Sequence, residues 1–173
     1  MSYISRLWLM PALALAAVAP QCGAVDLKAD HVHNDVAIPR LVAQVLGGTS
    51  GIEPGIAAEW RFSDGPCVVR PEVFLSEDAN VGGGGSIAWN LTFLDLPDRH
   101  AITLGPRVVY HNSDDSGWEA DAQAIYSFDF LGSAHGRHYL EIIGSVGVLQ
   151  DTSEVNDKTQ LGASIGVGYG FQF

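Results

Sequence analysis

From Leu161 onward every second residue is apolar: Leu161, Ala163, Ile165, Val167, Tyr169, Phe171 and Phe173. Between them lie Gly162, Ser164, Gly166, Gly168, Gly170 and Gln172. Strict alternation predicts a strand with two unlike faces. The run outlasts the roughly five or six residues usual in soluble sheets and fits a tilted membrane strand of about 9–11 residues with some overhang.

The same period recurs upstream. Trp118, Ala120, Ala122, Ala124, Tyr126, Phe128 and Phe130 alternate with Glu119, Asp121, Gln123, Ile125, Ser127 and Asp129. Ile87, Trp89, Leu91 and Phe93 alternate with Ser86, Ala88, Asn90 and Thr92, and Ile102, Leu104, Pro106, Val108 and Tyr110 share a face. Ile52, Pro54, Ile56, Ala58, Trp60 and Phe62 oppose Glu53, Glu59 and Arg61. Cys67, Val69, Pro71, Val73 and Leu75 oppose Arg70 and Glu72, and Leu140, Ile142, Val146 and Val148 oppose Glu141 and Ser145. A segment at 40–48 is less clean, because Leu41, Val42, Val45 and Leu46 do not separate onto two faces. These segments predict an all-β chain of eight antiparallel strands, an even number, as single-chain transmembrane barrels have.

The connections predict an orientation. Ser63–Pro66, Leu96–Arg99 and Gly132–Gly136 read as short turns, whereas Glu77–Gly84, Asn112–Gly117 and Asp151–Thr159 are mostly longer and polar. Short turns on the periplasmic side and longer loops outside are the usual asymmetry of such barrels. Gly47–Ser50 is the exception.

The N-terminus reads as a secretory signal. Arg6 precedes an apolar run, Leu7–Ala19, too short to span a bilayer, and Cys22-Gly23-Ala24 offers small residues for cleavage. Residues 1–24 are thus expected to be removed, leaving a leader at 25–39 and a barrel at 40–173. Acylation of Cys22 is the competing reading, disfavoured by Gln21 before it. Losing Arg6 from 9 basic residues leaves 8 against 20 acidic ones, a balance unsuited to nucleic acid. Cys67 would then be the only cysteine, with no intramolecular disulfide.

Alternation does not by itself say which face meets water. Aromatics cluster near the strand ends of the apolar face (Trp60, Phe62, Trp118, Phe128, Phe130, Tyr169, Phe173), as an interfacial girdle does. The opposite face mixes small residues with charges of both signs: Glu53, Glu59, Arg61, Arg70, Glu72, Arg107, Glu119, Asp121, Asp129, Arg137 and Glu141. Lysine, the common guard of soluble sheet edges, occurs only at Lys28 and Lys158. Lipid outside and charge inside is the reading that follows. The terminal Tyr169-Gly170-Phe171-Gln172-Phe173 resembles the assembly signal of bacterial outer-membrane barrels. With the leader and the eight strands, the whole mature chain is similar to the small eight-stranded outer-membrane protein superfamily. The resemblance implies an outer-membrane location in a Gram-negative envelope, lipid and lipopolysaccharide as neighbours, and delivery by the barrel assembly machinery through Tyr169, Phe171 and Phe173.

Five candidate features remain. The interior charges, Glu59, Arg61, Arg70, Glu72, Arg107, Glu119, Asp121 and Glu141 foremost, form either a proton path or narrow pore, or a salt-bridged plug. The plug is favoured, because eight strands leave little more than side-chain room. His31 and His33, near Asp30 and Asp35, make a thin case for a metal site. His111, Ser113 and Glu119 resemble the His-x-Ser…Glu set of outer-membrane lipid A 3-O-deacylases, although in that family the set lies in the final hairpin. Gly82–Gly85 precedes no helix and makes no phosphate loop. The loop acids Glu77, Asp78, Asp114, Asp115, Asp151, Glu154 and Asp157 either solvate the loops or gather Ca²⁺ or Mg²⁺ weakly. The expectation is therefore a monomeric, non-enzymatic, porin-like barrel with no cofactor and a structural or interactive role. An outer-leaflet lipid A hydrolase and a soluble periplasmic ligand-binding barrel are the alternatives.

Overall fold

Each of the eight alternating segments forms a strand. In the computed structural model, residues 39–61, 67–76, 79–91, 94, 96–97, 99–112, 117–133, 136–151 and 159–172 are described. The strands are β1 (Arg40–Gly48), β2 (Gly51–Arg61), β3 (Cys67–Leu75), β4 (Val81–Asn90), β5 (His100–His111), β6 (Gly117–Ser133), β7 (Gly136–Asp151) and β8 (Thr159–Gln172). Each pairs antiparallel with its sequence neighbour, and β8 returns to β1 to close the barrel. No described helix is long and apolar enough to cross a membrane.

Closure removes the exposed edges that an open sheet leaves unpaired. It also sets an inside and an outside. Leu161, Ile165 and Val167 are 77%, 69% and 63% exposed, and Ile52, Ile56, Leu140, Ile142 and Val146 are exposed beside them. Facing inward, Arg70 and Arg107 are each 1% exposed, and Glu59, Glu72, Glu119, Asp121 and Glu141 are buried. β1, whose apolar residues do not separate in the sequence reading, alternates strictly from Arg40 to Leu46. Arg40, Val42, Gln44 and Leu46 are buried, while Leu41 and Val45 are exposed.

Several expectations need correction. β4 begins at Val81, so Gly82–Gly85 belongs to a strand and the preceding connection shrinks to 76–80. Glycines carry no side-chain period, so the run looked like a loop. The β4–β5 connection, 91–99, is the longest, and it lies at the end expected to have the short turns. The loop-length asymmetry is therefore absent. β7 starts at Gly136, extending the β6–β7 hairpin past its neighbours around a bulge at Asp129/Leu131. Arg137, assigned to the interior, is exposed near the end of that hairpin.

Two described side chains at outward positions are also buried, Cys67 and Ile87. Cys67 is disulfide-bonded, against the expectation of a chain without an intramolecular bridge. The other cysteine of the sequence, Cys22, lies outside the described residues.

Candidate functional site: the ion-paired lumen

The inward charges join in one connected ladder. Near the end where β1 begins, Arg40 Nη1 lies 2.9 Å from Glu141 Oε1 and 3.3 Å from Glu59 Oε1. Arg61 Nε is 2.7 Å from the same Glu59 oxygen. Arg70 Nη1 donates to both Glu59 Oε2 (3.0 Å) and Glu141 Oε2 (2.8 Å), and its Nη2 donates to Gln44 Oε1 at 2.7 Å. Gln44 passes the ladder on, donating from Nε2 to Glu72 Oε2 at 2.6 Å. Glu72 accepts from Arg107 Nε, and Arg107 Nη1 reaches Asp121 Oδ2 at 3.0 Å. At the far end of β5, His111 places Nε2 2.8 Å from Glu119 and Nδ1 3.0 Å from Glu53.

All eight charges expected to share the lumen therefore lie in one network, through Glu59, Arg61, Arg70, Glu72, Arg107, Glu119, Asp121 and Glu141. Sequence reasoning missed Arg40 and Gln44, which link its parts. Their signal was present in the two-residue register of β1, hidden because Val42 and Leu46 also face inward. Pairing is what makes burial tolerable, since an unpaired buried ion carries a desolvation cost of several kcal/mol. The charges are unevenly spread along the barrel. Arg40, Arg61 and Arg70 face Glu59 and Glu141 at one end, whereas Arg107 and His111 face Glu53, Glu72, Glu119 and Asp121 at the other.

The lumen is not filled by charge alone. Leu46, Ile125 and Ile143 make a buried apolar cluster across β1, β6 and β7. Phe74 points inward, with its ring centroid 5.1 Å from that of His111. The ring lies over Gly82, where an added Cβ would overlap it. Glycines of β8 make similar room: a Cβ at Gly168 would stand 3.0 Å from Val42 Cγ1 and 3.3 Å from Glu141 Oε2. Thr103 Oγ1, Gln123 Oε1, Asp121 Oδ1 and Arg107 Nη2 are buried without a hydrogen-bond partner. Groups of this kind are ordinarily satisfied by internal water.

The other candidates fare differently. His111 and Glu119 are paired, but Ser113 lies outside the described residues. Both nitrogens of His111 stand beside carboxylates, leaving neither free to accept a hydroxyl proton. Among the described residues no group of three or more His, Cys, Asp or Glu is arranged to hold a metal. His31, His33, Asp30 and Asp35 lie outside the described residues, as do Glu77, Asp78, Asp114, Asp115, Glu154 and Asp157. Asp151 ends β7. Of the terminal aromatics, Tyr169 is exposed and Phe171 half-buried on the outer face, and Phe173 lies outside the described residues.

No family model matches this chain, and no curated protein or solved structure is significantly similar to it.

Proposed function

We propose that the chain is a secreted precursor of a Gram-negative outer-membrane barrel, monomeric and side-chain-filled, with a structural or interactive role at the cell surface. The observation that carries this reading is the inverted distribution of side chains. Leu, Ile and Val cover the outside, while Arg40, Arg70 and Arg107 and their carboxylates are sealed within. A water-soluble ligand-binding barrel has the reverse arrangement, an apolar interior and a polar exterior. In lipid the exposed aliphatic band is solvated, and a closed sheet pairs the backbone polar groups that an open edge would leave facing hydrocarbon.

The rims support the same reading. At the end holding both chain termini of the barrel, Trp60, Trp89, Tyr126, Phe128, Phe130, Tyr169 and Phe171 lie on outward positions near strand ends. At the other end Tyr110 and Trp118 pack together, centroids 5.0 Å apart. Aromatic rings settle at bilayer interfaces, with the aliphatic band between. The filled lumen favours a plug over a pore. Heat-modifiable gel mobility of the outer-membrane fraction tests the proposal. A folded barrel resists SDS until boiled, and a chain recovered in the soluble periplasm with no mobility shift overturns it.

A further inference from the structure

Two outward-facing histidines are built alike at the same rim. His100 opens β5 and brings Nδ1 within hydrogen-bond distance of the Tyr126 hydroxyl on β6. His138, near the start of β7, does the same with the Tyr169 hydroxyl on β8. Each imidazole also packs on a phenylalanine, His100 with Phe128 at 4.8 Å and His138 with Phe171 at 5.0 Å between centroids. The repeat is geometric, one His–Tyr–Phe unit on β5–β6 and one on β7–β8.

We propose that these two units bind the phosphodiester headgroups of membrane lipid, one at each imidazole Nε2. The proposal rests on the membrane reading above. A tyrosine hydroxyl that donates to Nδ1 leaves the neutral ring's proton on Nε2, and a protonated ring keeps it there. With the tyrosine as donor, Nε2 remains a donor in either state. The aliphatic band continues from Ile102 and Leu140, one rung further along each strand, so lipid tails along that band put their headgroups at this rim. A phosphate oxygen is the acceptor that a membrane presents there, and charge-assisted bonds to it are the stronger kind.

The test uses the full barrel, labelled with ¹⁵N-histidine and first shown to be heat-modifiable, in two micelles of matched tail length. One detergent carries a phosphocholine head and the other a maltoside head. The His100 and His138 Nε2 resonances are expected to differ between the two micelles, while buried His111 stays unchanged. Inorganic phosphate added to the maltoside micelle should not reproduce the shift. In Y126F/Y169F the response should weaken, because the ring loses the bond that orients it. Native mass spectrometry of the protein extracted from membranes should show fewer retained phospholipids for H100F/H138F, which keeps the aromatic belt. A heat-modifiable barrel with identical histidine resonances in both micelles, or with unchanged phospholipid retention in H100F/H138F, overturns the headgroup site and leaves the membrane reading standing. Loss of heat modifiability in the unmodified protein overturns both.

Discussion

The guanidinium of Arg40 stacks over the ring of Tyr139, 3.5 Å from its centroid. Arg40 is on β1 and Tyr139 on β7, so the contact spans the intervening β8. The crossing is open because Gly170 of β8 faces the Arg40 stem, where a Cβ would meet Cδ at 2.9 Å. The stack adds to the ion pairs with Glu59 and Glu141. Cation–π contacts contribute about 0.5–2 kcal/mol, the upper value when desolvated. One side chain thus ties three elements together across the strand pair that closes the barrel.

Loss of Arg70 should be costly. Arg70→Met takes from Glu59 and Glu141 one of the two arginines they share, leaving Arg40, and removing one side of a buried pair costs about 3–5 kcal/mol. Adding Glu59→Gln and Glu141→Gln should restore much of it. Urea unfolding in detergent micelles measures both, and an unchanged midpoint for Arg70→Met contradicts the ladder's role.

The two faces should differ sharply in tolerance. Ile165→Arg, or Ala122→Arg on β6, is expected to cost ~2–4 kcal/mol if placed near the bilayer midplane. Inside, Thr103→Val should be close to neutral, because its hydroxyl bonds to no other protein group. Unfolding from lipid vesicles gives the comparison. Equal penalties on the two faces refute the assignment.

Gly82→Ala should destabilise the barrel by about 1–3 kcal/mol through overpacking against the Phe74 ring. Phe74→Leu in the same chain should recover part of the loss. Gly144→Ala, with nothing within 4 Å of the added carbon, serves as the control and should leave the midpoint in place. A Gly82→Ala midpoint equal to that of the control disproves the contact.

Conductance should be small. Arg70, Phe74 and the Leu46–Ile125–Ile143 cluster fill the interior, so planar bilayers containing the unmodified protein should show no large, long-lived open state. A nanosiemens channel is incompatible with that packing.

Phe173 should be needed for assembly if the terminal aromatics act as the recognition signal. Its deletion should leave protein in the periplasm or degraded. Normal membrane yield in pulse-chase fractionation speaks against that role.

What was legible in the sequence was legible through period. Leu161 to Gln172 and Trp118 to Phe130 carry unlike residues on alternate positions, and their faces are those read from the chain. Period fails where the two faces are alike. In β1, Val42 and Leu46 face the lumen as apolar plugs, so Arg40 and Gln44 went unread between them. In β4, consecutive glycines have no side chains to alternate, and a strand passed for a loop. Phe74 escaped because an inward aromatic contradicts a polar lumen, and only its fit over Gly82 explains it. The ladder's connectivity was not readable at all, since Glu141 and Arg70 meet across the interior rather than along a hairpin.

The inner face of β8 has one more consequence. Positions 162, 166, 168 and 170 are glycine, and after Leu161 only Ser164 and Gln172 bring side chains to that wall. A strand this smooth can be laid against β1 and β7 after the arginines and carboxylates have already settled. Nothing on it has to be threaded past them. It works as a zip fastener whose final row has no teeth on the inside. Bulk added there should lengthen the time needed to seal the cylinder more than it weakens the sealed form.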